Sequence, residues 1–304
     1  METITPLDGP FFLANGHCFL NFCSSDPLGL SNHPDLKKNA IRFILQYGTS
    51  NSSLLLPEGE LSCESLVKRK LKDLLGKESV LLFSSILYAE QAVHAFLGSN
   101  VTHTIHSLLS ETSGYLCDPK TLYKTNGSLF IDDRHAFGLY GKRGMGLAAH
   151  LDSVTLILGS FSICGTPGGY VATSHLLLEQ IIKSFPYSPE SGIPPASLGI
   201  IDAALDLIPT MDGERAELHQ KVHFLNHQLQ EMGFTTSCQA FRILIHFETE
   251  EEATLYWKRL HASGIYTELK TMKTLKVSLC LQHTSEQLNQ FLEALKKVVL
   301  CFQI

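Results

Sequence analysis

Short, mostly apolar runs constrain this chain more than any other feature. Ser79–Phe83, Ser128–Ile131 and Val154–Gly159 hold enough consecutive aliphatic and aromatic side chains to be covered on both faces. Helical periods separate them. Pro34 opens a stretch whose Leu36, Ala40, Phe43, Ile44 and Tyr47 share one face, with the proline in the first turn where its missing N–H costs nothing. A second helix is expected over Ser62–Leu75, stopped by Gly76, and Ser84–Ser85 should cap a third running to Leu97. Strands buried on both faces and alternating with helices predict an α/β fold around a largely parallel sheet.

The rhythm changes in the last third. Leu218, Val222, Leu225, Leu229 and Met232 recur at helical spacing before Gly233. Phe241, Ile243, Ile245 and Phe247 alternate with their neighbours as a strand does, and so do Leu275, Val277, Leu279 and Leu281. A helix near Glu251–Ala262 lies between them, and Thr284 with Gln287 forms a capping box for a last helix. The expected organisation is an N-terminal segment 1–33, a large domain 34–210 and a small α+β domain 211–304.

Composition narrows the partners. Thirty acids against 24 bases give a net charge of −6 over 304 residues, with no basic stripe, which argues against nucleic acid or an anionic membrane. No apolar run approaches the ~20 residues a membrane-spanning helix needs, and Met1–Thr5 has no signal-peptide character. A cytoplasmic protein is expected. The eight cysteines contain no C-x-x-C pair and read as buried thiols rather than a disulfide framework.

Several polar patterns have plain readings. His219, His223 and His227 lie on one helical stripe, a spacing that can present imidazoles to a metal; without an acid or cysteine nearby, a solvated face is favoured and no metal site is expected. The weaker pair His103 and His106 reads the same way. Gly165–Gly169 lacks the lysine of a phosphate loop and fits a tight turn between strands. The acidic run Glu248–Glu252 fits a helix N-terminus.

A series of motifs adds a resemblance. Asn21-Phe-Cys-Ser-Ser-Asp-Pro-Leu-Gly-Leu-Ser-Asn-His-Pro34, the LFSS of Leu82–Ser85, Asp132-Asp-Arg-His-Ala-Phe-Gly138 and Gly141–Leu147 follow one another as in the α-oxoamine synthases. Gly168-Gly-Tyr-Val-Ala172, Ile193-Pro-Pro195 and His283–Gln287 continue the order. The chain resembles that family, especially the 8-amino-7-oxononanoate synthases, over nearly its whole length. The resemblance implies a fold type I large domain and a small C-terminal domain. It also implies pyridoxal phosphate (PLP) as cofactor, condensation of an acyl-CoA with an amino acid, and a homodimer or a heterodimer with a full-length relative. Asp132 matches the carboxylate for the pyridine nitrogen, His135 the histidine at the ring oxygen, and Ser84 and Ser85 the phosphate turn.

The departures are equally specific. Ile163 stands at the Schiff-base lysine, and no lysine lies between Lys142 and Lys183. Ser110 matches the stacking histidine, with His106 nearby. Leu54–Leu56 fill the arginine-bearing segment, and the R-L-R motif is Thr274-Leu275-Lys276. A β-α-β stretch is missing near 113–127. The expectation is therefore a catalytically degenerate relative acting as a binding or partner subunit, with PLP binding and acyl-CoA binding both in question. The alternatives are an active acyltransferase whose lysine is relocated or supplied by a partner, and a protein that holds an acyl thioester without chemistry.

Overall fold

The computed structural model describes residues 3–50, 61–97, 123–125, 128–152, 154–185 and 192–300. In chain order it holds β1 (Ile4–Pro6), β2 (Phe11–Ala14), β3 (His17–Asn21), α1 (Pro34–Tyr47), α2 (Ser62–Leu75), β4 (Ser79–Phe83) and α3 (Ile86–Leu97). Then come β5 (Tyr123–Thr125), β6 (Ser128–Asp132), β7 (Leu156–Ser160), β8 (Gly169–Thr173), α4 (His175–Ser184), α5 (Pro195–Leu207) and α6 (Asp212–Glu231). The chain ends in β9 (Thr235–Gln239), β10 (Arg242–His246), α7 (Glu250–Ala262), β11 (Ile265–Tyr266), β12 (Glu268–Thr271), β13 (Thr274–Ser278) and α8 (Ser285–Leu300). Two compact units result. One joins Met1–Gly29 to Gly213–Ile304, and the other is drawn from Leu30 to Asp212.

Among the described residues the larger unit is built on a five-stranded sheet in the order β4-β8-β7-β6-β5. β4, β7 and β8 are nearly continuous buried runs, as two-sided coverage requires. The parallel pairing expected of the sheet is confined to β6–β7, because β8 lies antiparallel between β4 and β7. The connection from β7 to β8 is too short for a crossover, so those two strands must run in opposite senses. The hairpin partner β5 opposes β6 for the same reason. β4, β6 and β7 still point one way, and their C-terminal ends share one edge of the sheet. α3 and α4 pack on one face around Ala89, Ala92, Val93 and Ile181. α1 and α5 pack against each other, and Gly199 lets Phe43 come close.

Local signals account for these helices. His33 caps α1 by accepting the Asp35 amide, and Pro34 is in the first turn. Gly76 ends α2 in the left-handed conformation, with its N–H on the Lys72 carbonyl. Thr249 caps α7, placing Glu250–Glu252 in the first turn.

In the smaller unit, β12-β13-β10-β9 form an antiparallel sheet, with Ile243, Ile245, Leu275 and Val277 buried on one face. The capping box forms as expected. Thr284 N–H donates to Gln287 Oε1 at 2.9 Å, and Gln287 N–H to Thr284 Oγ1 at 3.2 Å. The N-terminal strands join this unit, since β3 pairs in parallel with β11.

His283 fastens that junction. It is fully buried and stacks on Phe22 with centroids 4.4 Å apart. Its Nδ1 accepts the Cys280 amide at 3.0 Å, so Nε2 carries the hydrogen and donates to the Asn21 carbonyl at 3.0 Å. Burial pushes its pKa down from 6.5 to about 4. The neutral ring is the one the fold holds, so this contribution is full above pH 6.5 and is lost as pH falls through about 4. His283→Phe keeps the stack but strands two buried backbone groups. Chemical denaturation at neutral pH should show a loss of about 3 kcal/mol, and the variant should lose the acid sensitivity that His283 contributes in that window.

Candidate active centre

The edge where β4, β6 and β7 end gathers the residues that the motifs singled out. This is where open α/β sheets place their ligands. Asp132 closes β6, Ser84 and Ser85 lie between β4 and α3, and Ile163 sits in the one-turn helix Ser162–Cys164 after β7. The strands fix these positions through the Asp132↔Leu158 and Phe83↔Gly169 registers.

Asp132 is almost fully buried, and its carboxylate is engaged by the chain itself. Arg134 Nε lies 2.9 Å from Oδ1 and 2.8 Å from Oδ2, and the Arg134 amide donates to Oδ1 at 3.1 Å. The far side of the guanidinium meets Glu90 on α3, with Nη2 at 3.1 Å and Nη1 at 3.3 Å. Burial raises the Asp132 pKa, and Arg134 counters part of that rise. Charge on Asp132 and Glu90 in turn holds the guanidinium above its usual range against burial.

The neighbouring Asp133 is a second buried acid. It accepts the Leu147 amide at 3.2 Å and the Ala148 amide at 3.1 Å, tying down the Gly141–Ala148 loop. A Cβ at Gly146 would collide with this carboxylate, so glycine there is what lets the acid reach the loop. Burial lifts the Asp133 pKa from 3.8 to about 6.

The remaining motif residues behave differently. Ser85 Oγ accepts the Leu87 amide at 3.2 Å and its carbonyl accepts the Ala89 amide, the work of a helix cap. His135 is exposed in the turn after Asp133. Ile163 is only 5% exposed and packs on Gly138, where a Cβ would stand 2.5 Å from Ile163 Cγ1. Lys142 is exposed in the turn Lys142–Gly144. Thr274 and Lys276 lie on β13 in the other unit, with Lys276 paired to Glu268. Ser110, Leu54–Leu56, His103, His106 and, apart from β5, the shortened region near 113–127 lie outside the described residues.

These residues do not fit PLP as an enzyme of this kind would hold it. Ile163 has no amine, Asp132 has both oxygens on Arg134, and Ser85 is committed to α3. Arg134 and Asp133 were missed in the motif reading. The available signal was charge order: an acid pair followed at once by an arginine at a strand end, where Asp132 and Arg134 can close on each other.

Outside the centre, the His223 and His227 rings lie 6.5 Å apart on α6, and His227 Nδ1 is 3.6 Å from Glu231. Among the described residues no group of three or more His, Cys, Asp or Glu is arranged for a metal ion, and no helix is long and apolar enough to cross a membrane.

Comparison with known proteins gives one consistent set of relatives. Residues 116–295 match the family model for aminotransferase class I and II. The chain is 29% identical to a putative 8-amino-7-oxononanoate synthase of Desulfosudis oleivorans, over 97% of its own length and 92% of that protein. That alignment spans 359 positions, more than this chain contains, so the relative carries residues missing here. An 8-amino-7-oxononanoate synthase of Gluconacetobacter diazotrophicus is also 29% identical, over 69% of each chain. Among solved structures, a serine palmitoyltransferase from S. paucimobilis with a bound PLP–myriocin aldimine superposes with a TM-score of 0.85 at 18% identity, covering 99% and 92% of the two chains. The 8-amino-7-oxononanoate synthase of Francisella tularensis gives 0.79 at 19% identity, covering 94% and 99%. The fold is fold type I.

The buried acids make a pH prediction. In the fold Asp133 favours its proton, so its contribution to stability is full below pH 3.8 and is lost as pH rises through about 6. Asp133→Asn mimics the protonated form. Relative to wild type, urea denaturation should show the variant gaining on the order of 3 kcal/mol between pH 4 and pH 7. A flat difference across that range would contradict the assignment.

Proposed function

Because the chain belongs to the aminotransferase class I and II family, on its α-oxoamine synthase branch, we propose that it keeps the scaffold of an acyl-CoA–amino acid condensing enzyme but not its catalysis. Its role is that of a binding or partner subunit. Ile163 carries this reading. A PLP enzyme needs an amine to attach its cofactor and to move the substrate's α-proton, and the side chain here is an aliphatic group buried on Gly138. The pairing of Asp132 with Arg134 supports it, since the carboxylate that would hold a ring nitrogen already has a cation from the chain itself.

A partner role draws support from α1. Ile41 and Leu45 stand 58% and 82% exposed one turn apart, with Ile44 beside them, and apolar side chains grouped in this way mark a face that meets another protein. The partner is a second copy or a full-length relative that brings its own lysine. Light scattering of the purified protein should give the mass of a dimer or reveal a copurifying chain. A clean monomer at high concentration would count against the partner role.

Alone, the chain should not turn over pimeloyl thioester with alanine. Loss of general acid–base catalysis typically costs ~10²–10⁴-fold, and loss of covalent attachment adds to it. Ile163→Lys should leave activity at least about 10²-fold below that of a full-length relative, because Arg134 still occupies Asp132. Robust turnover by the unmodified chain, abolished by Lys142→Ala, would replace this reading with that of an enzyme using a relocated lysine.

A further inference from the structure

We propose that Arg134 is a built-in cation that takes the place of a cofactor ring on Asp132 and keeps pyridinium-bearing ligands out of this centre. The proposal deepens the reading above, and rests on it for the correspondence of Asp132 with the ring-binding carboxylate.

Geometry carries the argument. Arg134 Nε stands within 2.9 Å of both Asp132 oxygens, and the Arg134 amide also donates to Oδ1. A pyridinium presents one N–H donor and a positive charge, and it would meet a carboxylate whose charge is already compensated by a fixed guanidinium that repels it. The rest of the guanidinium is held on Glu90, so the side chain is fixed from two elements, the end of β6 and the first half of α3. Rotating it away would strip both carboxylates of the one cation they share.

Chemistry makes the occupancy permanent. Guanidinium stays protonated at every pH a protein survives, whereas a pyridine nitrogen needs the carboxylate to keep its proton. The two residues are separated by one position, so closing the pair costs little chain entropy, while a diffusing ligand must offset its own immobilisation. An arginine that served only to tie α3 to β6 would share these contacts. The two roles differ in the effect of removing it: loss of a simple tie leaves a weaker protein, and loss of a resident cation leaves a vacant carboxylate.

The test uses the full-length chain and 4-deoxypyridoxine 5′-phosphate. This probe has the cofactor's ring and phosphate but no aldehyde, so surface lysines cannot capture it. Calorimetric titration of wild type should show no saturable binding up to about 1 mM. Arg134→Ala should bind at least roughly tenfold more tightly than that limit, and adding Asp132→Asn should abolish the gain. Binding by wild type equal to that of the variant, a folded Arg134→Ala without gain, or a gain that survives Asp132→Asn would each overturn the proposal. Circular dichroism checks folding. Should Arg134→Ala not fold, Arg134→Met, which keeps the aliphatic stem, replaces it; failure of both to fold makes the arginine a structural tie and sinks the proposal. A missing gain leaves the non-catalytic reading standing, and that reading falls only to turnover by the unmodified chain.

Discussion

A carboxylate at the end of β6, nearly out of solvent and facing the C-terminal ends of two other strands, needs a cation. In this protein the cation is Arg134, and its grip on Asp132 and Glu90 joins the end of β6 to α3. A buried ion pair of this kind is weak evidence for stability in itself, because desolvation offsets much of the attraction. Removing one member is a different matter, since it leaves a buried charge alone. The centre therefore stays set by an ionic lock whose parts are all supplied by one chain, and the edge of the sheet needs no bound group to neutralise it.

Around that lock the loops are placed by a second buried acid. Asp133 directs its lone pairs at the Leu147 and Ala148 amides, and glycine at 146 is what permits the approach. The two acids divide the labour. Asp132 faces an arginine and has its charge compensated, whereas burial, with the Asp132 charge beside it, pushes the Asp133 carboxyl up to about 6 against the pull of its two amide partners. An acid whose ionisation is opposed by burial is a costly way to hold a loop at neutral pH. It fits a motif built around a strand-end acid pair better than a site arranged for stability alone.

Most elements were legible because their signals are local. The Pro34 and Gly76 boundaries of α1 and α2 and the Thr284–Gln287 box each depend on residues a few positions apart. Strand direction was not legible in the same way. A continuous apolar run reports burial on both faces, which β8 has, and says nothing of the sense in which it runs; the short link after β7 decides that. The attachment of β3 to β11 depends on a pairing between opposite ends of the chain. In the centre, the motif residues lie at one sheet edge and Ser85 caps α3 as its position before an apolar run suggests. The pairing of Asp132 was not foreseen, because a motif match records position while a contact is settled by the neighbour, here an arginine two residues on.

Ile163 and Arg134 are physically coherent as a pair of changes. An amine in the place of Ile163 would stand in a position only 5% exposed, in a unit whose nearby strand-end carboxylate already has its counter-ion. Burial would push such an amine toward its neutral form, and without a ring to attach to it would be a polar group that only displaces packing on Gly138. Isoleucine removes that penalty, filling the space against the glycine with methyl and methylene groups. Once the amine is gone, an open carboxylate at Asp132 has no ring to hold and becomes a liability of its own, which an arginine at 134 removes. Each substitution lowers the penalty left by the other. The centre is thus one self-consistent rearrangement of charge and packing rather than a catalytic site with a single missing part.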